Sequence, residues 1–199
     1  MSQTRELTKQ EKDNVFEVEF LPHIDSLYNF AYFLAQNEED AKDLLQETYL
    51  KAYKYCSYYQ KGTNAKAWLL RILKNTFINE YRKKAKKPQH VDFDETYQEE
   101  NEEEATIDLR QELFNELLGD EITQAINSLD VDYRVIILLC DVEGFKYDEI
   151  AQIMDVPIGT VRSRLHRARK ILKNKLKSYA RNRGYGKGKG QKSNKSSNQ

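Results

Sequence analysis

The chain has 199 residues, of which 39% are hydrophobic and 32% charged, enough for one mid-sized domain or two small ones. Only 8 glycines and 3 prolines are present, which favours helices over a turn-rich β fold. The 32 basic and 32 acidic residues cancel, and no run of about 18 or more apolar residues is present, so no membrane span is expected.

The first part of the chain is predicted to be helical from about residue 12 to residue 85. Apolar residues recur at helical spacing between Phe16 and Leu34, which predicts one buried helix face. A break and a new helix start are expected at 37–40, where acids favour a helix N-terminus. A second helix then covers 41–52, a loop covers 60–64, and a third helix covers 67–81.

A flexible linker is predicted after the third helix. Residues 83–104 contain Pro88 and almost no aliphatic side chains, so they cannot bury enough surface to offset the entropy of ordering. Helix is expected to resume near Ile107 and to continue through 133–142, 147–154 and 159–179. The tail from Arg181 alternates glycine with lysine, a composition typical of disorder.

These patterns predict an all-α fold with two small helical domains joined by a flexible acidic linker. An N-terminal helical bundle is predicted over 12–87 and the linker over 88–106. A C-terminal helix-turn-helix domain is predicted over 107–180, followed by a disordered basic tail over 181–199. Cys56 and Cys140 lie in apolar or aromatic runs without metal spacing, so both are predicted to be core residues of a protein in the reducing cytoplasm.

Basic and acidic residues are segregated along the chain, although their charges balance overall. Glu80 is the only acid between residues 61 and 87, Arg110 is the only base between 92 and 121, and no acid follows Asp155. Two basic blocks separated by an acidic one indicate two surfaces that bind a polyanion.

A short helix, a tight turn and a basic second helix are predicted over 147–165, the arrangement of a helix-turn-helix. Val161 and Leu165 would hold the second helix to the first. The side chains predicted to reach base edges are Arg162, Ser163, His166 and Arg167, and those predicted to contact phosphates are Arg164, Arg169, Lys170 and Lys173. Because Lys146 cannot cap the first helix, Asp148 and Glu149 are expected to stabilise that terminus by charge alone.

A second candidate surface combines aromatic residues, a flexible loop and a basic helix. Tyr58 and Tyr59 precede the loop, and polar residues recur at four-residue spacing along the helix that follows. Aromatic faces stack on unpaired bases while cations follow the backbone, so this surface suits single-stranded DNA. Trp68 and Phe77 are instead predicted to be core residues.

Three segments resemble, in chain order, parts of the extracytoplasmic-function (ECF) sigma factor family. Residues 40–52, DAKDLLQETYLKA, look like its polymerase-binding helix. Residues 67–82, AWLLRILKNTFINEYR, resemble its helix for the upstream edge of the melted promoter, and the helix-turn-helix resembles its domain for the upstream promoter element. The resemblance covers about residues 15–180, with the linker in the matching place.

The resemblance implies a non-enzymatic factor, without cofactor or metal, that binds core RNA polymerase, directs it to promoters and helps to melt the DNA. Asp43, Gln46 and Glu47 would dock on the clamp coiled coil of the largest polymerase subunit. The residues implied for the minus-ten element are Lys61, Asn64, Arg71, Asn75, Asn79 and Arg82. The residues implied for the minus-thirty-five element are Arg162, Ser163, His166 and Arg167. An anti-sigma factor is a further candidate partner.

Two other classes of function compete with this interpretation. In an ordinary helix-turn-helix regulator, residues 1–90 would sense a signal or dimerise, but a sensing domain has no need of a second DNA surface. An enzyme is disfavoured because His23, His90 and His166 lack partners at metal or triad spacing, and no glycine-rich phosphate loop precedes a helix.

Overall fold

The computed structural model describes residues 7–86 and 120–183, and every regular element within these two stretches is helical. The all-α fold class is therefore confirmed. The predicted linker over 88–106 and the part of the predicted tail after residue 183 lie outside the described residues. None of the helices in these stretches is long and apolar enough to cross a membrane.

The N-terminal domain, residues 7–86, is a helical bundle. It is built from α1 (Lys9–Val15), α2 (Ile24–Ala35), α3 (Glu38–Lys54) and α4 (Ala65–Lys86). A π-helical turn at Phe16–Phe20 and a 3-10 turn at Leu21–His23 connect α1 to α2, and a 3-10 turn at Cys56–Tyr58 follows α3.

The helix ends of this domain follow local capping chemistry. α1 begins before the predicted residue 12 because Thr8 and Glu11 form a capping box, in which the Thr8 main-chain N–H donates to the Glu11 carboxylate at 2.8 Å. The predicted break before α3 is confirmed, since the Asn37 side chain accepts a hydrogen bond from the Asp40 N–H at 2.8 Å. The predicted linker start at Lys83 is wrong, because α4 continues to Lys86; lysine and alanine favour helix until Pro88 approaches.

The core of the N-terminal domain contains the predicted apolar face. Phe20, Leu27 and Leu69 are fully buried, and burial of each such side chain contributes about 1.5–3 kcal/mol. Trp68 stacks on Phe20 with ring centroids 5.2 Å apart, so its predicted core role is confirmed. Cys56 is buried as predicted.

The C-terminal domain, residues 120–183, contains α5 (Asp120–Asn127), α6 (Val131–Ile137), α7 (Tyr147–Met154), α8 (Ile158–Lys175) and α9 (Lys177–Asn182). A π-helical turn at Leu138–Val142 extends α6. Its core is fully apolar at the centre, where the following side chains are buried: Ile136, Leu139, Ile150, Val161 and Leu165.

The end of the C-terminal domain differs from the prediction. One helix to Tyr179 was predicted, but α8 ends at Lys175 because Leu176 takes a non-helical ψ of 6°. Disorder from Arg181 was also predicted, yet α9 continues to Asn182. The Arg183 guanidinium lies 5.4 Å from the ring centre of Tyr179, a cation–π contact that sequence composition does not reveal.

The two domains lie against each other. α7 packs on α4, and α6 packs on α2.

Candidate nucleic-acid interface

The loop before α4 is a defined turn with an exposed polar edge. Gly62 has a φ of +78°, a left-handed conformation that glycine adopts without steric cost. The Thr63 hydroxyl donates to the Gln60 carbonyl at 2.7 Å and closes the turn. Lys61 and Asn64 are exposed on this loop, as a role in DNA contact requires.

Glu19 fixes this loop from the neighbouring turn and was not singled out in the sequence. Its carboxylate accepts hydrogen bonds from the Tyr59 hydroxyl and from the Gly62 main-chain N–H, the latter at 3.2 Å. Burial and the bond to Glu19 raise the pKa of Tyr59 to about 12, so the hydroxyl remains a donor. Because Glu19 and Tyr59 are 40 residues apart, no local pattern could indicate the pair.

One face of α4 carries four of the implied minus-ten residues. Arg71, Asn75, Asn79 and Arg82 are all exposed, and their spacing of three or four residues places them in one row along the helix. Together with the loop they form a continuous polar and basic edge of the N-terminal domain, which we call the α4 surface: Lys61, Asn64, Arg71, Asn75, Asn79 and Arg82.

The helix-turn-helix is present as predicted. α7 ends at Met154, Asp155 adopts a left-handed φ of +56°, and α8 begins at Ile158. Val161 and Leu165 are buried against the first helix. The expectation that charge alone stabilises the α7 N-terminus is wrong, because the Glu149 carboxylate accepts a direct hydrogen bond from the Lys146 N–H at 2.9 Å.

The outward side of α8 carries the residues predicted to read base edges, which we call the α8 surface: Arg162, Ser163, His166 and Arg167. All of them are exposed. The Ser163 hydroxyl donates to the Thr160 carbonyl at 3.0 Å, which leaves the oxygen lone pairs available as acceptors. Exposed side chains on the first turns of the second helix are what the predicted role of a recognition helix requires.

Two of the arginines predicted to contact phosphates are held by acids of the same domain. Arg164 pairs with Asp132 at 2.8 Å, and Arg169 donates to both oxygens of Asp141 at 3.1 and 2.5 Å. Hydrogen bonding to Asp141 raises the pKa of Arg169 above its ordinary value. These pairs fasten α8 to the preceding helices, whereas Lys170 and Lys173 are exposed. The half-buried Cys140 lies beside Arg169, with its sulfur 3.3 Å from a guanidinium nitrogen.

A separate exposed face lies on α3. Asp43 and Gln46 are exposed, and Glu47 is half-buried in an ion pair with Lys51 at 3.0 Å. These three side chains line an open groove with an acidic rim and the exposed apolar side chain of Leu50. Acids around an apolar contact suit a basic helical partner.

Comparisons with known proteins identify the family of both domains. A family model described as Sigma-70 region 2 matches residues 20–87, and one described as Sigma-70, region 4 matches residues 119–172. The ECF RNA polymerase sigma-E factor of Escherichia coli is 35% identical over 146 residues, covering 71% of this chain and 76% of that relative. The chain belongs to the ECF sigma factor family. The predicted family is thus confirmed.

Other ECF sigma factors show the same relationship. SigE of Mycolicibacterium smegmatis is 36% identical over 162 residues, covering 79% of this chain, which in turn spans 60% of the length of that relative. EcfG of Rhodopseudomonas palustris is 32% identical over 156 residues, covering 77% of this chain and 81% of the relative. The protein is therefore a sigma factor, of the class that directs RNA polymerase to promoters.

Two solved structures share the fold. The sigma factor RpoE from Bartonella quintana, determined in complex with the anti-sigma factor NepR, has a TM-score of 0.63 and 34% sequence identity, with 81% of this chain and 96% of that chain covered. CnrH in complex with the cytosolic domain of CnrY has a TM-score of 0.57 and 21% identity over 86% and 90% of the two chains. The second likeness concerns the fold alone.

Proposed function

We propose that this ECF sigma factor reads promoter DNA with two surfaces on separate domains and docks on core RNA polymerase through α3. The N-terminal domain, residues 12–87, performs the polymerase and minus-ten functions. The C-terminal domain, residues 107–180, reads the minus-thirty-five element. Residues 88–106 connect them, and residues 181–199 form a basic tail.

The α4 surface is proposed to capture the melted minus-ten strand. Its loop is already folded through Glu19 and Gly62, so little ordering entropy is lost when a base enters. Asn75 and Asn79 offer both donors and acceptors to unpaired base edges, while Arg71 and Arg82 follow the phosphates. These groups can contact base edges only after the two DNA strands separate. Contact between the α4 surface and the unpaired bases therefore favours the open promoter over the closed duplex.

The α8 surface is proposed to read the duplex minus-thirty-five element. Arginine can make a bidentate contact to guanine, and serine and histidine can donate or accept at base edges. Lys170 and Lys173, exposed further along the helix, are proposed to contact the flanking phosphates. The observation that carries the whole proposal is the exposure of two basic surfaces, one on each domain, beside an acidic α3 face.

The partners follow from the same surfaces. Asp43, Gln46 and Glu47 are proposed to meet the clamp coiled coil of the largest polymerase subunit. The sigma factor RpoE from Bartonella quintana is bound by the anti-sigma factor NepR, and we propose that an anti-sigma protein also binds this chain. We propose that the factor acts in the cytoplasm, where it would meet polymerase and DNA. We also propose that it is not an enzyme, since its candidate residues lie on exposed helix faces rather than converging in one site.

Run-off transcription with purified core polymerase and genomic fragments tests the proposed function. The full chain should co-elute with core polymerase on gel filtration and should produce discrete transcripts that core polymerase alone does not make. A chain that binds duplex DNA but neither co-elutes with polymerase nor supports transcripts would instead match an ordinary helix-turn-helix regulator.

A further inference from the structure

A carboxylate from a distant part of the chain contacts the loop proposed to hold the minus-ten strand. The sequence has no acidic residue between Glu47 and Glu80, the stretch that contains this loop. Even so, one carboxylate oxygen of the half-buried Glu19 accepts hydrogen bonds from the Tyr59 hydroxyl and from the Gly62 main-chain N–H. Negative charge beside a surface for a polyanion weakens binding by repulsion. The position of Glu19 therefore has a cost that another role must offset.

Glu19 approaches the loop from a rigid support. It belongs to the π-helical turn Phe16–Phe20, a kind of turn that occurs frequently at functional sites. The next residue, Phe20, is fully buried, and its ring stacks on Trp68 with centroids 5.2 Å apart. The Tyr49 hydroxyl donates to the Phe20 carbonyl at 3.0 Å. The core thus fixes the backbone next to Glu19, so the position of the carboxylate is fixed as well.

The bond from Gly62 to Glu19 acts at the most adaptable point of the loop. The end of the loop is fixed by Asn64, whose side-chain oxygen accepts from the Ala67 N–H at 3.0 Å and caps α4. Gly62 has a φ of +78°, and glycine can adopt a wider range of backbone conformations than any other residue. A hydrogen bond from its main chain to a fixed carboxylate restricts the loop to one shape. That shape sets where Lys61 lies relative to Asn64.

We propose that Glu19 is a positioning residue that sets the base selectivity of the loop over residues 60–64. A loop with one shape presents Lys61 and Asn64 to one arrangement of donors and acceptors on an unpaired base, whereas a loop with several shapes accepts more than one base. The fraction of molecules with the correct loop shape limits the affinity for the preferred base. Loss of the carboxylate therefore weakens binding of that base most. The inference rests on the proposed minus-ten function of the α4 surface.

A purely structural role of Glu19 would have a different signature. If the carboxylate only stabilised the N-terminal domain, its loss would lower transcription by the same factor on every promoter. If it positions the loop, its loss changes the ratio between bases at the one promoter position that the loop contacts. The ratio, rather than the total activity, therefore distinguishes the two roles.

The test uses the full chain bound to core polymerase and a promoter found by run-off transcription. The minus-ten element is placed in a preformed bubble, each of its positions carries each of the four bases in turn, and run-off rates give the base preference at each position. Glu19→Ala should reduce the preference at one position roughly tenfold, the effect of losing one hydrogen bond to a charged group. Preferences at the other positions should not change.

Two further variants at this turn provide the controls. Glu19→Gln keeps an oxygen acceptor of the same shape and should retain most of the preference. Glu17→Ala removes an exposed carboxylate from the same turn and should match the wild type at every position. If Glu19→Ala loses helicity in circular dichroism, Tyr59→Phe decides the test. It keeps the buried ring but removes the hydroxyl that bonds to Glu19, and it should weaken the preference at the same position.

An unchanged preference in Glu19→Ala, or an equal loss of run-off on every template, would overturn the positioning role. A double variant, Lys61→Ala with Asn64→Ser, separates this result from a failure of the proposed function, because serine still caps α4. If the double variant loses the preference while Glu19→Ala keeps it, the loop reads a base without Glu19, and only this inference falls. If the double variant keeps every minus-ten preference, the loop reads no base and both proposals fall.

Discussion

The Arg134 guanidinium of α6 donates to the Phe33 carbonyl at the end of α2, across the boundary between the two domains, at a distance of 3.2 Å. The same side chain also donates to the Asn127 and Leu129 carbonyls of its own domain at 2.6 and 3.1 Å. The carbonyl end of a helix carries partial negative charge. The buried Arg134 side chain thus provides hydrogen-bond donors both to carbonyls at the end of α2 and to carbonyls of the α5–α6 connection.

Replacing Arg134 should therefore be costly for stability. Arg134→Met keeps much of the apolar length but leaves several buried carbonyls without a donor, which should lower the free energy of unfolding by roughly 2–4 kcal/mol. Urea denaturation followed by circular dichroism measures this loss. The matched control is Arg162→Met at an exposed position, which should change stability by less than about 0.5 kcal/mol. Equal losses in the two variants would contradict the proposed role of Arg134.

His23 should make stability depend on pH near the domain contact. Burial and the nearby Lys66 cation lower the pKa of His23 below its usual 6.5. The unfolded chain therefore binds a proton at His23 more readily than the folded chain does. The free energy of unfolding should fall as pH decreases from about 6.5 to the lowered pKa, and should level off below it.

Chemical denaturation of the wild type and of His23→Gln at pH 7.5 and at lower pH checks this expectation. The variant should lose less stability on acidification than the wild type. Identical pH dependence in the two proteins would show that His23 titrates alike in the folded and unfolded chains.

The α3 face should bind polymerase without supporting the fold. The triple change of Asp43, Gln46 and Glu47 to alanine removes exposed or half-buried polar groups and one surface ion pair, so stability should change by about 1 kcal/mol or less. Affinity for core polymerase should fall clearly in a calorimetric titration. Glu39→Ala, on the first turn of the same helix, is the control and should retain wild-type affinity. Unchanged affinity in the triple variant would remove α3 from the interface.

The two kinds of contact on α8 should differ in their effects on duplex binding. Arg167→Ala should cost roughly 1–3 kcal/mol at one base position and relax the preference there. Lys173→Ala should weaken binding evenly across sequences and reduce the slope of log affinity against log salt by about one unit. Binding of duplex variants at several salt concentrations distinguishes the two effects. A sequence-specific loss in Lys173→Ala would mean that Lys173 meets a base.

Local sequence patterns were sufficient to predict the helices and the exposed surfaces of this fold. The Asn37 cap, the Gly62 turn and the buried pair Val161 and Leu165 follow from neighbouring residues, and so does the exposed row on α4. The contact between domains could not be predicted in this way. Arg134 and Phe33 are 101 residues apart, and no composition or spacing indicates that an arginine of one helix compensates the end of another.

The same limit applies to ion pairs between helices. Arg164 and Arg169 belong to a basic run and stay predicted phosphate contacts, but their pairing with Asp132 and Asp141, which lie 32 and 28 residues away in the sequence, could not be predicted from that run. Glu19 was overlooked because its partners, Tyr59 and Gly62, follow it in the sequence only after α2 and α3. Pairing across elements is a property of packing, which one-dimensional patterns do not contain.

The central proposal is that the α4 surface binds the melted minus-ten strand and the α8 surface reads the upstream duplex. Promoter opening tests this proposal most directly. On a promoter found by run-off transcription, permanganate reactivity of unpaired thymines is measured with core polymerase and each full-length variant. Asn79→Ala should reduce thymine reactivity at the minus-ten element, and a template with a mismatched bubble there should restore part of polymerase binding. Arg167→Ala should bind the upstream duplex less well but should open normally on a template that lacks the upstream element. Normal opening by Asn79→Ala, together with loss of opening by Arg167→Ala on that template, would contradict the account.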